Sequence, residues 1–227
     1  SVDHSVDHSV DHSVDHSVDH SVDRDRLAEV SYAKAARARL VAMDSWMWSG
    51  ASGRWHDLDL SRAGEPLSQE TAAAYMPLWA GAHSDAQAAR AVEALGRSKL
   101  MQAGGVATTL LNTSQQWDWP NAWPPLQQML VEGLARCGGD GGPALAEDLA
   151  TRWLASNMLG WQRDAVMHEK YDATRPGERG AGGEYTPQVG FGWSNGVVLW
   201  MIDRFVKEGS DVAKKLEAIG ATLSTVD

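Results

Sequence analysis

The chain has 227 residues, a net charge of -10 and one cysteine. The acidic balance argues against nucleic acid or anionic membranes as partners, because both require basic patches. A single cysteine excludes an intrachain disulfide, no apolar run reaches the roughly 18 residues that a membrane span needs, and nothing in the sequence predicts the compartment.

Residues 1–24 form a low-complexity repeat. Five copies of Ser-Val-Asp-His precede a sixth that ends in Arg24. Ser, Val and Asp are poor helix formers and a period of four matches no strand alternation, so disorder is predicted. The repeat histidines could form a weak metal-binding tail, but we expect instead that the repeat arose by expansion of a short DNA repeat or by a gene-model error, in a truncated or misassembled product. No metal site is predicted.

Residues 25–227 are expected to form one mainly helical domain. Strand signals are few, and the best covers residues 54–60. Ser84 is a predicted N-cap for one of the helices. Apolar periodicity and capping signals predict helices over residues 26–43, 85–95, 143–159, 196–205 and 211–219.

Residues 115–125 read Gln-Gln-Trp-Asp-Trp-Pro-Asn-Ala-Trp-Pro-Pro. The final prolines are tolerated only in the first turn of a helix, so a helix is predicted to begin there and to stop at Gly138-Gly139. Trp117 and Asp118 then lie on the preceding loop. An indole beside a hydrogen-bond acceptor suits a sugar, although a tryptophan-rich helix entry that only packs explains the run equally well.

Residues 167–196 contain a glycine-rich loop with glutamates and aromatic residues interleaved. Glu169 and Glu184 bracket its Gly/Pro/Arg-rich part, and Phe191 and Trp193 follow. The glycines allow a close approach of the backbone to a ligand. A surface loop ahead of a buried helix would explain the glycines but not the aromatic residues and glutamates.

These two segments together resemble the trehalases of glycoside hydrolase family 37. Gln-Trp-Asp-Trp-Pro-Asn-Ala-Trp-Pro-Pro at 116–125 matches the family's second signature. Glu-Lys-Tyr-Asp at 169–172, Gly-Gly-Glu-Tyr at 182–185 and Gly-Phe-Gly-Trp-Ser-Asn-Gly at 190–196 match its C-terminal active-site loop. The resemblance covers about residues 24–205.

The resemblance implies an all-α (α/α)6 toroid, of which this chain is about the C-terminal half. It also implies inverting hydrolysis of the disaccharide α,α-trehalose to two glucose molecules, without a cofactor. In inverting enzymes an acid protonates the glycosidic oxygen and a carboxylate roughly 6.5–9.5 Å away activates water. The resemblance assigns the general base to Glu169 and substrate binding to Glu184 and Trp117. Three further substrate-binding candidates are added on chemical grounds: Asp118, Phe191 and Trp193.

A carboxylate that acts as a base must stay ionised at the working pH. Lys170 and Arg179 would help if they point toward Glu169, although a side chain adjacent in sequence often points the other way.

The family's general acid is an aspartate in an upstream Gly-Trp-Asp-Phe-Ser-Ser-Arg-Trp motif, which this sequence lacks. Asp44 is the nearest candidate by composition, but a helix-end aspartate between core tryptophans is the favoured interpretation. Turnover by this chain alone is therefore expected near background. The alternatives are a non-catalytic sugar-binding remnant of a trehalase and another inverting glycosidase on the same toroid.

Half a toroid is expected to expose the apolar faces that the other half would cover. Such patches favour self-association. Two stripes are predicted to be exposed: Leu126/Met129/Leu130 and Val197/Trp200/Met201.

Overall fold

The computed structural model describes residues 20–137, 139 and 141–223. It divides into two compact units, Ser1–Arg39 and Leu40–Asp227. The first helix, α1, spans His20–Ala42. The end of the repeat, residues 20–24, belongs to this helix, whereas residues 1–19 lie outside the described part, so the disorder predicted for the repeat as a whole stays a prediction.

Among the described residues, six further helices build the second unit. A π-helical turn at Met43–Met47 and two short 3-10 segments at Leu60–Arg62 and Ala72–Tyr75 accompany them. The helices are α2 (Met76–Ala80), α3 (Asp85–Arg97), α4 (Pro124–Leu134), α5 (Gly141–Asp164), α6 (Gly192–Phe205) and α7 (Asp211–Leu223).

Short antiparallel ladders of two residues each connect the helices. The predicted strand over 54–60 is two separate strands, β2 and β3, each paired with a different neighbour. The pairs are β1 (Trp48–Ser49) with β2 (Arg54–Trp55), β3 (Leu58–Asp59) with β4 (Glu65–Pro66), β5 (Met101–Gln102) with β6 (Gly105–Val106), and β7 (Asn121–Ala122) with β8 (Tyr171–Asp172).

Local sequence signals account for two of the helix starts. The Ser84 hydroxyl oxygen accepts a hydrogen bond from the Gln87 N–H, and the Gln87 Oε1 accepts one from the Ser84 N–H, so the predicted N-cap is confirmed as a full capping box. Pro124 and Pro125 lie in the first turn of α4, as predicted. That helix ends at Leu134, before the predicted glycine stop.

The core of the second unit lies between α4 and α5. Trp153 and Leu149 on α5 are fully buried, and they share one cluster with Leu134 on α4 and Leu95 on α3. Burial of a side chain of this size contributes about 1.5–3 kcal/mol. The described helices include none that is both long and apolar enough to cross a membrane.

The predicted exposure of the two apolar stripes is wrong. Leu130, Val197 and Met201 are buried, because α4 and α6 turn these side chains into the unit's own core. Leu126 and Trp200 are half-buried and pack against that core, and Met129 is half-buried. The exposed apolar residues of α6 are instead Leu199 and Ile202. Self-association stays a prediction, with a different face of α6 to support it.

Candidate active site

The β7–β8 ladder joins the two segments that carry the family resemblance. Asn121 pairs with Asp172 and Ala122 with Tyr171. The Asn121 Oδ1 also accepts a hydrogen bond of 3.0 Å from the N–H of Ala181 in the glycine-rich loop. Residues about fifty positions apart in sequence are thus adjacent, and the predicted site residues are brought to one region.

Glu169 is 6% exposed and is held by the glycine-rich loop. Its carboxylate Oε2 accepts a hydrogen bond of 3.0 Å from the Gln188 N–H, and its own N–H donates to the Gln188 carbonyl at 3.1 Å. The Trp193 indole N–H donates to the Glu169 carbonyl at 3.2 Å. The carboxylate therefore has a defined position beside an aromatic side chain.

Four aromatic rings, Trp117, Trp123, Phe191 and Trp193, form what we call the aromatic wall. Trp117 stacks on Trp123 with centroids 4.0 Å apart and planes at 7°. Trp193 meets both rings edge-on, and Phe191 lies 4.8 Å from Trp193. Trp117 is 41% exposed, whereas Trp123 is buried beneath it. The structure thus groups the three aromatic residues predicted from sequence around a fourth, Trp123.

Asp118 is buried and its oxygens are engaged within its own loop. Oδ1 accepts hydrogen bonds from the Thr109 hydroxyl at 2.8 Å and from the Trp119 N–H at 2.9 Å, and Oδ2 accepts one from the Thr113 N–H. Burial by itself raises the pKa of this carboxyl, but the donors outweigh it and hold the pKa below its usual value. Substrate binding by Asp118 stays a prediction, and these contacts favour a role in holding the loop.

Glu184 is exposed on the glycine-rich loop. Gly182 before it has a φ of +84°, and a Cβ there would lie 2.9 Å from the Gln115 carbonyl oxygen. Only glycine lets the loop cross the 115–125 segment at this distance. Asp44 lies in the π-helical turn after α1 and accepts a hydrogen bond of 2.7 Å from the Gln87 side chain on α3. The helix-end position agrees with the prediction, but Trp46 beside it is exposed and is not a core tryptophan.

Lys170, which follows Glu169 in the sequence, is fully buried. Its ammonium lies 4.9 Å from the Trp123 ring centroid and 5.2 Å from that of Tyr185, and donates to the Gly182 carbonyl at 3.2 Å. Burial lowers the pKa of Lys170, and Glu169 partly offsets this. Burial and the contact with Glu169 raise the pKa of Tyr185 to about 12, so its hydroxyl stays protonated at neutral pH. From the sequence, Lys170 is expected only to help keep Glu169 ionised and Tyr185 is not identified as a site residue, although both lie in the matched motifs.

A second polar network lies at the end of α5 and includes His168, the residue before Glu169. The His168 Nε2 lies 2.7 Å from the Asp164 carboxylate, which also pairs with Arg163. Arg163 reaches Glu178 in the following loop, and its proximity lowers the pKa of Asp164. Within the described residues, no group of three or more His, Cys, Asp or Glu side chains is arranged to hold a metal ion.

A family model described as Trehalase matches residues 13–206. The chain belongs to the trehalase family. A probable trehalase of Oryza sativa is 42% identical over 77% of this chain and 34% of its own length. Human trehalase is 39% identical over 74% of this chain and 29% of its own length. A periplasmic trehalase of Xanthomonas campestris is 42% identical over 80% of this chain and 31% of its own length. The chain therefore spans about a third of the length of these relatives.

Solved structures agree on the fold. The neutral trehalase of Saccharomyces cerevisiae superimposes with a TM-score of 0.67 at 29% identity, over 83% of this chain and 32% of that one. A GH63 mannosylglycerate hydrolase from Thermus thermophilus gives a TM-score of 0.52 at 25% identity, over 73% and 36%. The predicted α/α toroid class is confirmed for the matched part of the chain.

Proposed function

We propose that this chain supplies the general base and one sugar-binding wall of an inverting α,α-trehalose hydrolase. Family membership supports trehalose as the substrate, and the burial of Glu169 next to the aromatic wall is the observation that carries the assignment. The general acid belongs to a segment that this sequence does not contain.

In this proposal Glu169 removes a proton from the attacking water. The base needs a fixed orientation, and the Gln188 N–H supplies it by holding Oε2. As the water oxygen bonds to the anomeric carbon, its proton passes to the carboxylate and the acid protonates the departing glycosidic oxygen. The product glucose carries the inverted configuration because water arrives opposite to the bond that breaks.

The aromatic wall suits a neutral sugar. The exposed face of Trp117 is available for the apolar face of a glucose ring, while Trp193 and Phe191 complete the surface at its edge. Trehalose carries no charge, so Glu184 would contribute as an acceptor for sugar hydroxyl groups.

The alternative is a non-catalytic protein that retains the sugar-binding wall. The absence of the acid motif from this sequence favours it for the chain alone, since loss of a general acid typically costs a factor of about 10² to 10⁴. The two proposals agree on binding and differ on turnover.

A chimera decides between them. The matching segment of the Xanthomonas campestris trehalase is replaced by residues 13–206 of this chain, and glucose release from trehalose is measured. We expect turnover, and a loss of about 10² to 10⁴ on Glu169→Gln, because the amide cannot accept the water's proton. Glu147→Gln, an exposed position on α5, is the matched control and should leave turnover unchanged.

An inactive but folded chimera would contradict the catalytic proposal and favour the remnant. Turnover that survives Glu169→Gln would contradict the assignment of the base. The third alternative is a different inverting glycosidase on this fold. It is tested by replacing trehalose with maltose, and it predicts that the chimera hydrolyses maltose faster than trehalose.

A further inference from the structure

The ammonium group of Lys170 contacts three separate segments of the candidate site. It lies over Trp123 from the first motif and over Tyr185 from the glycine-rich loop, and it donates to the carbonyl of Gly182. Lys170 itself follows the proposed base directly. One positive charge thus connects the aromatic wall, the loop and the Glu169 segment.

The surrounding structure is built to admit this side chain. Gly180 is buried, and a Cβ there would lie 2.8 Å from the Lys170 Cγ. The lysine stem therefore passes through a space that a larger residue at 180 would close. Burying an ammonium group is costly, and the two ring faces and one carbonyl compensate for its lost hydration.

Each ring that Lys170 contacts leads to a group with a proposed role. Trp123 carries the stacked Trp117, the exposed ring of the wall. Tyr185 contacts Glu169, and Gly183, next to the tethered carbonyl, donates to the Ser114 carbonyl at 2.9 Å. Displacement of the ammonium would loosen both sides of the site at once.

We infer that Lys170 is a positioning residue, which holds Trp123 under Trp117 and Tyr185 against Glu169 through its cation and its hydrogen bond to Gly182. The inference rests on the proposed function for what is positioned, but its contacts can be tested without a sugar. Lys170 acts through these rings and takes no part in bond making.

The test compares the wild-type chain with Lys170→Met, which keeps the length of the side chain and removes the charge. Two readouts report on position: the exciton signal of the stacked Trp117–Trp123 pair in far-ultraviolet circular dichroism, calibrated with Trp117→Phe, and hydrogen exchange at the Gly183 amide. We expect the exciton signal to shrink and Gly183 exchange to accelerate by about tenfold or more. The melting temperature should stay unchanged or rise, because an uncharged side chain is cheaper to bury. Lys215→Met, exposed on α7, is the matched control and should change neither readout.

Lys170→Gln separates the two contacts, since the amide can still donate to Gly182 but carries no charge. We expect the exciton signal to fall as it does in the methionine variant. Unchanged readouts in Lys170→Met would overturn the inference, and so would a parallel loss of helical signal and melting temperature in both variants, which would indicate a purely structural lysine. Retention of the exciton signal in Lys170→Gln alone would overturn the role of the cation.

A sugar titration of the same variants links the inference to the proposed function. If the wild-type chain shows a tryptophan fluorescence response to trehalose, Lys170→Met should weaken the apparent affinity by about tenfold or more. If the wild-type chain shows no response, the proposed binding wall is contradicted, whereas the two sugar-free readouts still decide the role of Lys170.

Discussion

Two helical glycines of this chain should respond in opposite directions to the same substitution. Gly133 lies in α4, where the helix backbone comes closest to α2, and Gly196 lies in α6. A Cβ on Gly133 would lie 2.7 Å from the Trp79 nitrogen and 2.9 Å from the Leu78 carbonyl carbon, whereas one on Gly196 would meet nothing within 4 Å. Gly133 allows the backbones of α4 and α2 to come into contact, whereas Gly196 makes no such contact and only lowers the helix propensity of α6.

The magnitudes follow from these distances. Ordinary contact begins at 3.4 Å, so Gly133→Ala requires α4 to move from α2 by 0.7 Å, the difference between 3.4 and 2.7 Å. Because the obstructing atoms are backbone, no side chain can rotate away. Overpacking of this kind costs about 1–3 kcal/mol, and alanine's better helix propensity returns up to about 1 kcal/mol. Gly196→Ala gains that propensity without a clash and should stabilise by about 0.5–1 kcal/mol.

Thermal unfolding by circular dichroism measures both variants. For a unit of this size one kcal/mol shifts the melting temperature by about 2–4 °C. Gly133→Ala, with a net loss of about 0–3 kcal/mol, should therefore melt lower by up to about 12 °C, and Gly196→Ala about 1–4 °C higher. Equal shifts of the same sign in the two variants would refute the close approach of α2 and α4.

Two further predictions concern buried polar groups near the site. Gln127→Leu should lower the free energy of unfolding in denaturant by about 2–5 kcal/mol. The Gln127 amide both donates to and accepts from the Val106 backbone at 2.8 Å, and leucine leaves that N–H and C=O unpaired. A loss below about 1 kcal/mol would contradict this. Asp118 has a lowered pKa in the folded state, so its contribution is fully present above its unfolded pKa of about 3.9 and is lost as the pH falls through the lower folded value. The free energy of unfolding should therefore depend less on pH below about 4 in Asp118→Asn than in the wild-type chain, and equal slopes would argue against the loop contacts of Asp118.

Local signals in the sequence predict the helices well but not the connections between them. The capping box at Ser84 and the prolines at 124 and 125 act within one turn, so residue type is sufficient to identify them. The paired strands contain only two residues each, too few for an alternating pattern to emerge. The β7–β8 ladder forms because distant segments meet, and no local preference of Asn121 or Tyr171 indicates it.

In the candidate site, too, local motifs predict which residues take part, but not the contacts that they make after folding. The motifs identify Glu169, Trp117, Phe191 and Trp193, and the structure brings these residues together. The contacts of Asp118 depend on where the N–H of Thr113 points after folding, which composition does not reveal. The burial of Lys170 could not be predicted from the sequence either, because a lysine next to a loop glutamate is usually solvated.

Because α4 and α6 bury their apolar side chains within the second unit, the folding stability of this unit does not depend on the segment that would supply a general acid. Val197 and Met201 pack into the unit's own core, so the helices next to the aromatic wall, α4 and α6, are already supported from within. Glu169 is held by the glycine-rich loop and lies just before β8 of the β7–β8 ladder, and both belong to this unit. None of these contacts involves a general acid. The proposed function therefore predicts that sugar binding and turnover are separable: binding would require only the aromatic wall of this unit, whereas hydrolysis would also require a proton donor on the other side of the glycosidic bond.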